Sequence, residues 1–496
     1  MAKLAKSRSK PSAVGEKFGA APALTALVML GLSVSACAPN LGPRPSPATD
    51  ALLAASQSLN APADTAARTW PSDAWWTGYG DPVLNALVER GLKDAPTLQQ
   101  AAARMRLAAG VTGQARAAGS ALVYSQAGVG EYLQSKNLGF PPFIQPLLPG
   151  SLHPLGSVNL DFAYNLDLFG KQHALIAAAT SEAEASKADY AQARLAVASS
   201  IVAAYADLRR LEADRASAQV LLEVRRKTVA LVAERAHEGL DTRTELKTQS
   251  INIPAAEQEV ARLDQQIGLA RDQIAALIGA GPDAGLQIPS ASPDHAVTLH
   301  SLPAELPAAL LGRRADIVAA KYRVQAARKR ITAAKADYYP NINLAAAVGY
   351  QSLGLSTLFD QASRTGNMGP ALTLPIFSGG AANGGYRVAA ANTDLAVATY
   401  NETLTLALKD VSDALVNQKA LAEQRQAAQR GVAQAREAFV LTEARAKAGL
   451  ASEIAVLGAQ AALIGQERQL ADLDGLALTY DVALVRALGG GYGSPH

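Results

Sequence analysis

The sequence predicts a mostly α-helical chain with a small membrane β-barrel part, assembled as two copies of one unit. Three observations predict it. Lys171 to Glu238 holds neither Gly nor Pro and is rich in Ala, Leu, Glu, Gln, Lys and Arg, a composition that favours helix. At the helical rise such a rod is roughly 100 Å long. Just before it, Val158, Leu160, Phe162, Tyr164, Leu166 and Leu168 alternate with Asn159, Asp161, Ala163, Asn165 and Asp167, the period of a strand with one apolar and one polar face. Lastly, Ala188-Asp189-Tyr190 and Gly239-Leu240 return as Ala398-Thr399-Tyr400 and Gly449-Leu450, both 210 positions on.

Composition narrows the function before any motif does. Hydrophobic residues make up 49% of the chain, but aromatic ones only 5%, and the many alanines suit closely packed helices better than a thick core. The net charge of +3 comes from the leader, where Lys3, Lys6, Arg8, Lys10 and Lys17 face only Glu16. The rest is close to neutral, which argues against nucleic-acid binding. An apolar run from Ala20 to Val34 follows, too short for a comfortable membrane helix. It ends Val34-Ser35-Ala36-Cys37, which resembles a bacterial lipoprotein box. Residues 1–36 are therefore expected to be a lipoprotein signal peptide, with Cys37, the sole cysteine, carrying a covalent lipid. Beyond that leader no apolar run is long enough for a membrane helix, so any spanning part must be a β-barrel.

In order, residues 37–80 read as a lipidated, extended arm rich in Pro, Ala, Ser and Asn. Asp81-Pro82 is an N-cap followed by a first-turn proline, and one helix is expected from Val83 to Ala118. Residues 119–170 read as a β-hairpin, with strands at Ser120–Glu131 and 158–168. Its Gly- and Pro-rich loop, Asn137–Pro154, is long, as extracellular barrel loops are. Residues 171–278 hold the long helix, the turn at Gly239-Leu240 and a returning helix from Thr242 to Ile278, which Pro254 should kink. A connection at 279–305 leads to the second copy. That copy has a helix at 306–337 and a hairpin at 338–385, with strands from Asn341 to Val348 and from Ala371 to Phe377. Helices over 386–487 follow (Tyr386–Ala448 and Ser452–Ala487), and 488–496 is the tail. On the long helix, Leu195, Ala198, Val202 and Tyr205, then Leu221, Val224, Thr228 and Leu231, repeat three and four apart, a coiled-coil seam.

Four strands cannot close a barrel, and an open sheet edge is not tolerated in lipid. Several copies must therefore share one barrel, and cyclic symmetry is the default way to do so. Three copies would contribute twelve strands. Val158, Leu160, Phe162 and Tyr164 would then face lipid, while Asn159, Asp161 and Asn165 would face the lumen.

Several segments, in order, resemble the outer membrane factors of the TolC/OprM/NodT kind. They are Trp75-Trp76 through Asp81-Pro82; Asn165-Leu166-Asp167-Leu168-Phe169-Gly170; Leu306-Pro307 with Leu310-Leu311-Gly312-Arg313-Arg314-Ala315-Asp316-Ile317; Tyr339-Pro340-Asn341-Ile342; and Leu374-Pro375-Ile376-Phe377. The resemblance implies a TolC-like homotrimer, with a 12-stranded outer-membrane barrel (4 strands per chain) continued by a long periplasmic α-helical barrel. It also implies outer-membrane lipid around the barrel, a periplasmic adaptor (membrane fusion) protein meeting the tips at Gly239, Leu240, Gly449 and Leu450, and an inner-membrane pump of the resistance-nodulation-division or major facilitator type. The entrance would lie at Glu453, Ala455 and Gly458. There are departures. Ala315 stands where the family usually has proline, and Gly458 where it commonly has an aspartate, so the resemblance carries no acidic entrance ring to this chain.

No enzyme chemistry is predicted. The six histidines form no i, i+4 pair, and with one cysteine there is no zinc spacing. No P-loop is present, and no cofactor beyond the Cys37 lipid, no metal and no nucleic acid are expected. The expectation is a passive exit duct for drugs and toxic small molecules. The alternatives are the outer-membrane channel of a type I protein secretion system, or a periplasmic coiled-coil scaffold without a pore.

Overall fold

The computed structural model describes residues 40–48, 70–135, 141–147, 150–290 and 312–493. The expected signal peptide, Cys37, most of the 37–80 arm and residues 291–311 lie outside them. The chain divides into two units.

The first unit takes in Ala115–Ile176 and Lys329–Ala391. It holds an antiparallel sheet of β1 (Leu122–Tyr132), β2 (His153–Asn165), β3 (Asn341–Leu353) and β4 (Arg364–Thr373), in that order. Two strands differ from the sequence reading. β2 begins earlier and stops at Asn165, short of the expected residue 168. Asp167 turns the backbone to φ 41°, and its carboxylate accepts from the backbone N–H groups of Gln172 and His173, each at 2.8 Å. The alternation through Leu168 is thus interrupted by a capping residue. β4 also lies earlier than Ala371–Phe377, because β3 pairs with Arg364–Thr373. Ile376 and Phe377, apolar as they are, stand outside the sheet and exposed. Where the strands meet the helices, Phe169 stacks on Tyr339 at 4.7 Å and Lys171 pairs with Asp337 at 2.5 Å, joining the corresponding corners of the two repeats.

The second unit takes in Arg44–Gln114, Ala177–Arg328 and Asn392–His496. Among the described residues, and apart from the single turn Asp283–Leu286, the α-helices are α1 (Pro82–Asp94), α2 (Pro96–Ala118), α3 (Lys171–His237), α4 (Arg243–Ser250), α5 (Asn252–Leu277), α6 (Ala315–Ala336), α7 (Ala381–Lys447) and α8 (Glu453–Ala487). The expected helix Val83–Ala118 is two helices, since Pro96 forces Ala95 out of the helical region, to ψ 126°. The returning helix likewise breaks at Ile251, as Pro254 cannot donate to the turn before it. α7 starts at Ala381 rather than Tyr386. Of the four glycines between 379 and 385, only Gly379 and Gly380 take positive φ, and Gly384-Gly385 belongs to the first helical turns. With that correction α3 and α7 are both 67 residues, with bounds in register 210 positions apart.

α3 is the axis of the main core. Leu195, Ala198, Val202 and Tyr205 are buried, as are Val224 and Thr228 of the continuing seam, with Leu221 and Leu231 half-buried. Leu195, Ala198, Val202 and Tyr205 pack with Leu84 and Val88 of α1, Leu263 and Ile274 of α5, and Leu478 and Val482 of α8, whereas Val224, Leu221 and Leu231 pack with Leu457 and Ile464 of α8. Trp75 and Trp76 meet edge-on at 5.8 Å inside this core. In the second repeat α7 does the same with α6, through Ile317, Val324, Tyr400 and Leu404, and with the end of α8. Ser46 and Ala48 of the arm are held on α7 by Asn401. Its Oδ1 accepts from the Ala48 N–H at 2.7 Å, and its Nδ2 donates to the Ser46 carbonyl at 3.4 Å.

Candidate functional site

The strand registers sort the sheet into two faces. Tyr124 lies opposite Asp161, which lies opposite Ala347, which lies opposite Asn367, so these four share a side. By the two-residue period the same side carries Gln126, Ser157, Asn159, Asn165, Asn343, Gln351 and Thr365, interspersed with Gly and Ala, with Leu122, Leu155 and Leu353 toward the strand ends. The opposite side carries Val123, Val129, Val158, Leu160, Phe162, Tyr164, Leu344, Val348, Met368 and Leu372. Leu160, Val348 and Met368 are 50%, 62% and 89% exposed, a large apolar area for one sheet to show to water. Gly349 is required where it is, because a Cβ there would run into the Val158 carbonyl oxygen and the Asn159 side chain. Asn159 thereby lies across a neighbouring strand. Asp161 is half-buried, and its Oδ2 is inaccessible and has no hydrogen-bond partner among the described residues.

The helix tips are built alike. Gly239 and Gly449 take φ 69° and 73°, and the N–H groups of Leu240 and Leu450 donate to the Arg235 and Arg445 carbonyls at 2.8 Å. This is the Schellman closure, which favours glycine because other residues are strained there. Thr242 and Ser452 then cap the next helices, accepting from the N–H groups of Glu245 at 3.1 Å and Ala455 at 3.3 Å. The tips differ in charge: Arg235 pairs with Asp241 at 2.7 Å, whereas Ala451 follows Leu450 in the second. Leu240 and Leu450 are 66% and 70% exposed. Glu453 and Gly458 are exposed on α8, and nothing lies within 4 Å of a Cβ at Gly458. Ala455, Gly458, Ala462 and Gly465 form an exposed stripe spaced three and four apart with no ionisable side chain.

Sequence reasoning missed the buried polar joints of the second unit. Tyr79 donates to Asp481 at 2.6 Å and Tyr205 to Asp81 at 2.8 Å. Burial first, and then the carboxylate acceptors, push both phenols well above the ordinary range. Arg468 of α8 reaches Asp214 of α3 at 3.3 Å and Glu259 of α5 at 2.7 Å. Arg210 joins Asp214 to Asp472. One signal was available: Asp214 sits between buried Leu211 and Ala218 on the apolar stripe of α3. An acid in such a place must find a cation. Arg314 is buried and joins Asp316 at 2.7 Å, Asp410 of α7 at 3.2 Å and the Ala487 carbonyl at 3.2 Å. Among the described residues no group of three or more His, Cys, Asp and Glu could hold a metal, and no helix is long and apolar enough to cross a membrane.

The family described as outer membrane efflux protein matches residues 87–280 and 306–490, the bulk of both repeats. The chain belongs to that family. It is an outer-membrane channel of an efflux system, and its relatives agree. It is 29% identical over 442 residues to the multidrug resistance outer membrane protein MdtP of Escherichia coli K12, covering 85% of this chain and 87% of the relative. It is 37% identical to the crystal structure of the outer membrane protein VceC of Vibrio cholerae, covering 85% of this chain and all of that one, with a TM-score of 0.77. The Campylobacter jejuni CmeC outer membrane channel, at 21% identity, shares the fold with a TM-score of 0.81 over 92% of this chain and 96% of that one. The efflux channel thus has the predicted mixture of a four-stranded sheet and long helices.

Proposed function

We propose that this efflux channel works as a homotrimer, a passive exit duct for drugs and other toxic small molecules. The observation that carries the reading is the two-faced sheet with β1 and β4 at its edges. An apolar face suits lipid, but edges with unpaired backbone groups do not. Joining β4 of one copy to β1 of the next removes the edges and gives twelve strands from three chains. On this reading Val158, Leu160, Phe162 and Tyr164 face lipid, and Asn159, Asp161 and Asn165 line the bore.

The helices would form the periplasmic part. Their exposed tips at Gly239-Leu240 and Gly449-Leu450 would receive an adaptor protein, and an inner-membrane pump would supply the energy. Glu453, Ala455 and Gly458 would lie at the entrance. Cys37 would carry the lipid that anchors the arm. Drug and toxin export follows from the likeness to MdtP, a protein named for multidrug resistance.

The test is in cells and in bilayers. Deleting the gene should raise sensitivity to hydrophobic toxins, and labelled palmitate should enter the wild type but not Cys37→Ala. Crosslinking should trap trimers, and the purified protein should conduct in planar bilayers. Unchanged toxin sensitivity with a lost secreted protein would redirect the reading to protein secretion. A trimer without conductance would leave only a scaffold.

A further inference from the structure

Asp161 stands apart on the polar face of the sheet. Across all four strands, that face holds no other acidic or basic side chain except His153 at the outer end of β2. Its neighbours across the strands are Tyr124 and Ala347, and among the described residues no cation pairs with it. Its buried Oδ2 has no hydrogen-bond partner among the described residues. On the helices, by contrast, the buried Asp214 has Arg210 and Arg468, and the half-buried Glu259 has Arg262 and Arg468. The α8 stripe around Gly458 carries no charge at all.

We infer that Asp161 sets the charge preference of the duct: three copies form a carboxylate ring inside the β-barrel that favours cationic over anionic solutes. This rests on the trimeric duct reading above, with the polar face turned to the bore. Rings of carboxylates select cations in channels, and lumen substitutions in barrels tune selectivity. With the carboxylates roughly 10 Å from the axis of a twelve-stranded barrel, their summed Coulomb attraction in water enriches a monovalent cation about eightfold without screening and about fivefold at 10 mM salt. The attraction reaches the axis only when the Debye length spans the bore. It does so at 10 mM salt, where that length is about 30 Å, and fails at 1 M, where it is about 3 Å.

The experiment is the reversal potential of the full-length purified protein in planar bilayers, under potassium chloride gradients at low and high salt. The expected wild-type result is a several-fold preference for potassium over chloride near 10 mM that fades toward none near 1 M. Asp161→Asn should lose most of the low-salt preference, and Asp161→Glu should keep it. Asp161→Ser serves in place of the amide variant if that one does not insert. Glu453→Gln tests the rival charge at the expected entrance and should leave the preference in place. Equal selectivity of wild type and Asp161→Asn overturns the inference, as does a preference that disappears in Glu453→Gln instead. Absence of any conductance in the wild type refutes the duct reading itself, so the two failures are told apart.

Discussion

Replacing Asp81 with alanine tests how the Trp-Trp to Asp-Pro segment holds α1 to the long helix. Asp81 is 5% exposed. Its Oδ1 accepts from the N–H groups of Val83 at 2.9 Å and Leu84 at 3.1 Å, and its Oδ2 from the Tyr205 hydroxyl at 2.8 Å. Arg209 stands 3.7 Å from Oδ2. Losing the helix cap costs about 1 kcal/mol, and losing a hydrogen bond to a charged group about 1.5–3 kcal/mol. Asp81→Ala also strands a tyrosine that is 1% exposed. The variant should therefore lose roughly 3–4 kcal/mol. Tyr205→Phe alone should lose about 2 kcal/mol, and the double variant little more than Asp81→Ala. The coupling between the two sites is then about 1.5–2 kcal/mol. Urea unfolding of the detergent-solubilised protein, followed by helical circular dichroism, reads all four corners of the cycle. A loss below about 1 kcal/mol for Asp81→Ala, or simple additivity, would refute the argument.

Other expectations follow from the same geometry. Hydrogen bonds from Arg262 first, and then from Arg468, pull the Glu259 carboxyl down to about 2 against the effect of burial. Burial, and next Asp472, push Asp214 up. A lowered carboxylate contributes stability above its unfolded pKa and loses it as pH falls through the folded one, whereas a raised carboxylate loses its charge first. The destabilisation by Arg468→Ala should thus be largest near neutral pH. It should shrink as Asp214 takes up its proton, and nearly vanish toward pH 2 when Glu259 follows; a cost independent of pH in urea melts contradicts the joint. Gly349→Val should block assembly, since the Val158 backbone cannot yield, and crosslinking should no longer trap a trimer. At the tip, Gly449→Val should cost about 1–2 kcal/mol of local strain and impair export, while Gly449→Asn, which tolerates positive φ, should retain toxin resistance. Equal resistance in both variants would remove the tip conformation from the mechanism.

Much of the architecture was legible because its causes are local. A long run free of Gly and Pro dictates α3, and a Gly-Leu pair dictates where each long helix turns. The matching pair 210 positions on declared the repeat, and strand alternation declared the two sheet faces. Strand ends were harder. The alternation continues to Leu168, but Asp167 is taken by the start of α3. The apolar Leu374 to Phe377 looks more like a strand than the Gly- and Asn-containing segment that β3 actually selects. Strand bounds depend on a hydrogen-bonding partner, and partners are not written beside the strand.

Local composition and spacing therefore determined the helices, the repeat, the turns and the amphipathic sheet, because each depends on residues a few positions apart. Only the tertiary structure decided which charges are joined. Arg468 meets Asp214 across 254 positions and Tyr79 meets Asp481 across 402. It also left Asp161 without an ion pair among the described residues while giving Asp214 two arginines. The physical reason is that an ionisable group's cost depends on what surrounds it in space, and helix packing brings those surroundings from distant parts of the chain.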